Sequence, residues 1–110
     1  MIRISNKINE TLSIYRDNKV VVWGCGIYGK RIYGLLQYFN IGIYAYCDNQ
    51  EALWGTLEAN SGRPIISPAE LRELARENQN VVVQIGCWTK DNSLIQQIQG
   101  LMGQTVRKLA

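Results

Sequence analysis

The chain reads as an α/β fold: a parallel sheet of four to five strands in the order 3-2-1-4-5, helices on both faces, and an extra N-terminal helix. Three observations predict it. Short apolar runs at Lys19 to Trp23, Ile43 to Cys47, Pro64 to Ile66 and Val81 to Ile85 alternate with segments of helical period, the pattern of parallel strands joined by right-handed crossovers. The second run is unbroken by polar residues, as suits a strand buried on both faces. The first run leads straight into Gly24-Cys25-Gly26-Ile27-Tyr28-Gly29, and the second is closed by Asp48.

Each element follows from local chemistry. Ile8, Leu12 and Tyr15 stand at helical spacing behind a Ser5 cap, and Asp17-Asn18 ends that leading helix. Lys19 to Trp23 is the first strand. The helix after the glycines carries Tyr28, Ile32, Leu35, Leu36 and Phe39 on one face and stops at Asn40 and Gly42. After the second strand the period is lost from Asp48 to Gly62, where a short helical turn around Gln50 to Trp54 and a loop are expected. Ser67-Pro68-Ala69-Glu70 is a capping box with proline at the first helical position, opening a helix to about Glu77. Val81 to Ile85 is the clearest strand, and Gly86-Cys87-Trp88 is the loop at its end. Asp91 or Asn92 caps a last helix with Leu94, Ile95, Ile98 and Leu101 inward; Gly103 ends it, and Thr105 to Leu109 suggests a short fifth strand.

The glycine run is G-x-G-x-x-G between a strand and a helix, with an acid about twenty residues on, which is the mark of a dinucleotide-binding βαβ unit. Gly24 permits the tight turn, Gly26 lets a pyrophosphate approach the backbone, and Gly29 lets the helix pack on the strand. The helix N-terminus offers N–H groups and a positive dipole end to phosphates. Asp48 can accept hydrogen bonds from both ribose hydroxyls and repels a 2′-phosphate, so NAD or a nucleotide sugar fits better than NADP. Ile27, Tyr28, Cys25 and Asn49 flank these positions, and the crevice is expected between strands one and four, with Gly86, Cys87 and Trp88 as its far wall. The plainer alternative is a tight turn with Asp48 capping the next segment.

Two other motifs fail on chemistry. Gly24, Gly29 and Lys30 match G-x-x-x-x-G-K, but Arg31 stands where a phosphate-binding P-loop needs a hydroxyl for magnesium. Tyr15 and Lys19 have Tyr-x-x-x-Lys spacing but lie before the first strand.

A chain of 110 residues with 46% apolar side chains suits one domain, residues 1–110. The formal charge of +3 is mild and its basic residues are scattered, so no nucleic-acid patch is expected. No stretch is long and apolar enough for a bilayer and the first residues are too polar for a secretory signal, which predicts a cytoplasmic protein without a membrane partner. Three cysteines in that setting predict reduced thiols. The chain has no histidine, which excludes imidazole acid-base work from its own residues.

Three stretches resemble a known group: Val22 to Lys30, then Cys47-Asp48-Asn49 with Trp54-Gly55, then Arg63 to Leu71. They look like the small NAD(P)-binding Rossmann-like domains attached to bacterial sugar-modifying and surface-polysaccharide enzymes. These include the N-terminal domain of nucleotide-sugar acyltransferases, the domain preceding FkbM-type methyltransferases and the C-terminal domain of sugar C-methyltransferases. The resemblance implies that Gly24, Gly26, Gly29 and Asp48 face a nucleotide and that a neighbouring domain supplies the chemistry. Three departures stand out: no neighbouring domain is present, Cys25 replaces a more usual alanine, and Thr56 to Gly62 looks long. Either the ligand is held differently or the chain is an isolated or truncated module.

The remaining residues have two readings each. Cys25, Cys47 and Cys87 all fall at strand ends, either as a redox or metal site or as small packing residues; no fourth soft ligand for zinc is evident. Trp88 and Tyr28 either stack on a ligand or cover the core, Lys30 either neutralises a phosphate or points to solvent, and Trp23 and Trp54 read as structural. Glu70, Glu73 and Glu77 mix with Arg72 and Arg76 on a solvated helix face. The functional expectation is a nucleotide-binding module of a sugar-nucleotide or polysaccharide pathway, served by a catalytic partner domain or protein. The alternatives are a ligand-free scaffold that pairs with itself or an enzyme, and a small NAD-dependent oxidoreductase.

Overall fold

The computed structural model describes residues 12–77, 80–87 and 93–102. Helix α1 occupies residues 12–16 and is followed by β1 (Lys19–Trp23), α2 (Ile27–Tyr38), β2 (Ala45–Cys47), a 3₁₀ turn (Glu51–Leu53), β3 (Ile65–Ile66), α3 (Pro68–Glu77), β4 (Val81–Ile85) and α4 (Ser93–Met102). The four named strands pair in parallel, in the order β3-β2-β1-β4. This is the predicted order through four strands. The expected fifth strand, the Ser5 cap, Ile8, the Asp91 or Asn92 cap and Gly103 lie outside the described residues.

Strand alternation divides the core into two layers. Val20 and Val22 point to one face, where Leu12, Tyr15, Leu36, Ile41, Ile43 and Tyr46 join them. Val21 and Trp23 point to the other, with Cys47, Leu71, Ile85 and Ile98. Helices α1 and α2 thus cover one side of the sheet and α3 and α4 the other, so the strands carry apolar residues on both faces. Gln84 of β4 is a fully buried polar side chain in this core. The Tyr15 hydroxyl donates to its Oε1, and its Nε2 donates to the Ile85 carbonyl at 3.2 Å, which ties α1 to the far edge of the sheet.

The element ends obey their residues. Asn18 Nδ2 donates to the Ile14 carbonyl at 2.6 Å and closes α1. At the end of α2, Asn40 adopts φ +60°, its N–H donates to the Gln37 carbonyl and the Ile41 N–H to that of Leu36, a Schellman closure sealed by the apolar pair Ile41 and Leu36. The Ser67 hydroxyl caps α3 by accepting the Glu70 N–H at 3.1 Å.

Three details differ from expectation. In α2 the inward face is Gly29, Ile32, Tyr33 and Leu36, while Tyr28 and Leu35 turn outward. The close approach of Gly29 to the preceding turn sets the rotation of the helix, and the positions three, four and seven residues on follow it inward. Regular pairing in β2 begins at Ala45 rather than residue 43, although the Tyr44 N–H already bonds the Val20 carbonyl. The expected loop before β3 is a small hairpin: Leu57 bridges Pro64 antiparallel, and the Glu58 N–H donates to the Arg63 carbonyl at 2.8 Å.

Candidate functional site

The ends of β1 and β4 and the start of α2 are held together by three glycines. Gly24 has φ +102°, and a Cβ there would sit 3.0 Å from both Cys87 Cβ and the Gly86 carbonyl oxygen. A Cβ on Gly29 would lie 1.9 Å from the Gly24 carbonyl oxygen, and one on Gly86 2.6 Å from Val22 Cγ1 and 2.9 Å from Gly29 Cα. These three glycines are demanded by the fold itself. Gly26 is different: its φ of −81° suits any residue, and nothing lies within 4 Å of a Cβ placed on it. It forms the N-cap of α2 without a side-chain cap, and the first turn of α2 carries no acid. Among the described residues the N–H groups that start this helix thus have no capping side chain.

Asp48, just after β2, stands across from this turn. Its Oδ1 accepts the Gln50 N–H at 2.9 Å, so it caps the following segment as the plainer alternative anticipates. Its Oδ2 receives only long contacts, 3.4 Å from the Cys25 N–H and 3.5 Å from the Cys25 Sγ. The Asp48 carbonyl accepts the Trp54 indole N–H at 2.7 Å, which fixes the strand end and makes Trp54 structural. A cavity of about 340 Å³ opens between these groups, walled by Cys25, Gly26, Lys30, Asp48, Leu57 and Glu58 among others. A further hollow of about 390 Å³, between Tyr44 and the acidic face of α3, lies away from the glycine turn.

The structure thus gathers Gly24, Cys25, Gly26, Gly29 and Asp48 at one sheet edge, with Lys30 on the cavity wall. Ile27 and Tyr28 are exposed beside it, and Tyr28 lies under the Arg31 guanidinium, 5.8 Å from the ring centroid. Asn49 turns away and exchanges hydrogen bonds with Gln97 of α4 at 2.9 and 3.2 Å. Gly86 and Cys87 press against Gly24 and do not wall the cavity. Trp88 lies outside the described residues. Among the described residues the cavity at the turn lies on its β2 side.

Glu58 is the cavity residue that sequence reasoning missed. It is 5% exposed, and its two carboxylate oxygens accept the N–H groups of Asn60 and Ser61, each at 2.8 Å. Burial works to raise its pKa, but those N–H bonds, the Ser61 hydroxyl and the charge of Lys30 outweigh it and hold the carboxyl below its ordinary value. The signal was a glutamate two and three residues ahead of the Asn60-Ser61-Gly62 turn, whose amides need an acceptor. The thiols take the opposite direction. Burial, then the Asp48 charge, pushes Cys25 up to about 11 and Cys47 up to about 12, so both are protonated packing groups at neutral pH. Among the described residues no group of three possible ligands could hold a metal ion, and no helix is long and apolar enough to cross a membrane.

No protein-family model and no curated protein sequence matches the chain. Solved structures do match. A crystal structure of RSP, a Rex-family repressor, superposes with TM-score 0.62 at 15% identity over 87% of this chain and 46% of that one; RSP has also been crystallised with β-NADH, and with β-NAD⁺ and operator DNA. UDP-D-quinovosamine 4-dehydrogenase from Vibrio fischeri matches with TM-score 0.63 at 18% identity over 84% of this chain and 75% of that one. The methyltransferase FkbM from Methylobacillus flagellatus KT matches with TM-score 0.60 at 21% identity over 96% of this chain and 28% of that one. The chain spans just under half the length of the Rex-family chain. At these identities the likeness is one of architecture: with its 3-2-1-4 parallel sheet and helices on both faces, the chain has a Rossmann-like fold.

Proposed function

We propose that the chain is a nucleotide-binding module, holding NAD or a nucleotide sugar at the glycine turn, in a sugar-nucleotide or surface-polysaccharide pathway. The observation that carries this reading is the contrast among the glycines. Gly24 and Gly29 are required by the fold, whereas Gly26 has no internal reason to be glycine and faces open space beside the N–H groups of α2. A missing side chain there leaves room for a phosphate to reach the backbone. Asp48 Oδ2 is the acceptor for ribose, and Lys30 is the ammonium nearest the phosphates. RSP, crystallised with β-NADH and with β-NAD⁺, and UDP-D-quinovosamine 4-dehydrogenase share this architecture. The nucleotide supplies any redox or group-transfer chemistry, and this chain's own residues bind and orient it. The proton transfers fall to a partner domain or protein, because the chain has no histidine and Cys25 is held protonated.

The test is equilibrium binding of NAD, NADP, UDP-glucose and a dTDP-sugar to the full chain. One of NAD or a nucleotide sugar should bind, and NADP should bind at least tenfold more weakly than NAD. Gly26→Val, at a position where a Cβ meets nothing within 4 Å, should weaken binding tenfold or more while costing no more than about 2 kcal/mol of stability. Asp48→Ala should also weaken binding. Unchanged affinity in both variants rejects the reading.

A second reading has its own observation. The outer face of α2 exposes Ile27, Tyr28, Leu35 and Tyr38 around Arg31, and Tyr38 is 78% exposed. Such a stripe suits a protein partner or a second copy, and the scaffold alternative rests on it. Sedimentation of the chain and of Tyr38→Lys decides: an assembly dispersed by the substitution supports that reading, and a monomer in both rejects self-pairing.

A further inference from the structure

Two surface features lie outside the glycine-turn cavity and complement each other in charge. The first is the outer face of α2, where Ile27, Arg31, Leu35 and Tyr38 follow one another at intervals of four, four and three residues and so form one stripe of the helix. Ile27, Leu35 and Tyr38 are 62%, 42% and 78% exposed. The helix carries two cations, Lys30 and Arg31, and no acid. Tyr38 is also held ready for contact: its ring meets that of Phe39 edge-on, with centroids 5.2 Å apart, so less freedom is lost when a partner covers it.

The second feature is the hollow of about 390 Å³ beside α3. Ile66 and Leu74 wall it together with Tyr44 and with Glu70, Glu73 and Glu77. The glutamates are spaced by three and four residues, which sets them in a row on one face of α3. Cations of the chain itself already gather here: the Lys19 ammonium lies 4.7 Å from the Tyr44 ring centroid, and Arg76 pairs with Glu73 at 3.2 Å. The side chains of that ion pair are 62% and 61% exposed, and an exposed pair is worth little, so an arriving guanidinium displaces Arg76 at small cost.

Spacing agrees as well as charge. Arg31 and Tyr38 are seven residues apart on α2, as are Glu70 and Glu77 on α3. At 1.5 Å per residue each pair spans about 10 Å, so a tyrosine seated at one end of the glutamate row brings an arginine level with the other. Pairing α2 with the α2 of another copy sets cations against cations instead.

We propose that the chain assembles with itself by docking the outer face of α2 of one copy on the acidic hollow beside α3 of another, with Tyr38 as the buried anchor and Arg31 against the glutamate row. This rests on the reading of α2 as an interaction face given above and names its occupant: a second copy, because one chain carries both complementary surfaces. Each copy offers one of each, so association extends as a chain or closes as a ring, of which a reciprocal dimer is the smallest.

Sedimentation of the full chain from micromolar to millimolar concentration tests it. Association should appear across that range and weaken with added salt. Arg31→Glu and Glu77→Lys, both at exposed helix positions, should each weaken it at least tenfold. The double variant should regain association, because it restores opposite charges across the interface; an unfolded chain cannot give that recovery. A wild-type chain that stays monomeric throughout overturns both the proposal and self-pairing through α2. Association that Tyr38→Lys disperses but Glu77→Lys leaves intact overturns docking on α3 and leaves α2 standing as an interaction face. A double variant no better than the single ones overturns the proposal in the same way.

Discussion

Glu58 shows how one side chain can be both buried and charged without an ion pair in contact. Its carboxylate is held by two amide donors of its own hairpin, and it fixes the segment from Leu57 to Ala59 that walls the cavity. Because the folded carboxyl is below its ordinary value of 4.5, its contribution is fully present above that value and is lost as pH falls through the folded one. Glu58→Gln keeps a single acceptor and leaves one amide unpaired, so at pH 7 stability should fall by about 1–3 kcal/mol. The variant should also lose part of the wild-type decline in stability below pH 4.5. Denaturant unfolding at pH 3.5, 5 and 7 reads both effects. An equal loss at all three values means the carboxylate's charge contributes nothing.

At the scale of the element, the glycine turn is an assembly of backbone contacts rather than a flexible loop. Gly29→Ala drives a methyl to within 1.9 Å of the Gly24 carbonyl oxygen, and neither partner is the end of a side chain that can swing away. The loss should reach at least about 3 kcal/mol or prevent folding. Gly26→Ala, three residues earlier in the same motif, should stay within about 1 kcal/mol, because its φ and surroundings admit a methyl. Chemical denaturation of the two variants side by side checks the contrast; equal effects would mean that Gly26 is structural too. The same contact explains why helical spacing misjudged α2. Tyr28 and Leu35 belong to an apolar face by period, but the helix can approach β1 only with Gly29 inward, and that rotation sends both to solvent.

For the molecule as a whole, binding and folding are linked. A nucleotide that binds only the folded chain, at about one hundred times its dissociation constant, adds roughly 2.7 kcal/mol of stability. In a chain of this size that is a rise in melting temperature on the order of 10 °C. Thermal unfolding with and without saturating ligand reads it, and a ligand that leaves the midpoint in place is not bound at this site. The two core layers supply the frame for that coupling, since α2 both packs the first layer through Leu36 and offers its N-terminus to the cavity. A ligand at Gly26 would thus contact an element whose position the core already sets.

Much of this was legible in the chain, and the boundary has a physical cause. Parallel order through four strands, the capping of α3 by Ser67, the stop of α2 at Asn40 and the place of Asp48 after β2 follow from local rules: period, caps, turn residues and the glycine spacing. Such rules act within a few residues, so the sequence alone carries them. Contacts between distant segments are another matter. Asn49, beside Asp48, pairs with Gln97, forty-eight positions away, which no local pattern foretells. Gln84 sits in an apolar strand because the Tyr15 hydroxyl meets it from sixty-nine positions away. Gly86 is packed against Gly29, and Glu58 and Leu57, distant from the turn in sequence, wall the described cavity. Sequence determined which residues can build a glycine turn with an acid beside it; tertiary packing decided that the hairpin before β3 walls the described cavity there, because that depends on which segments touch.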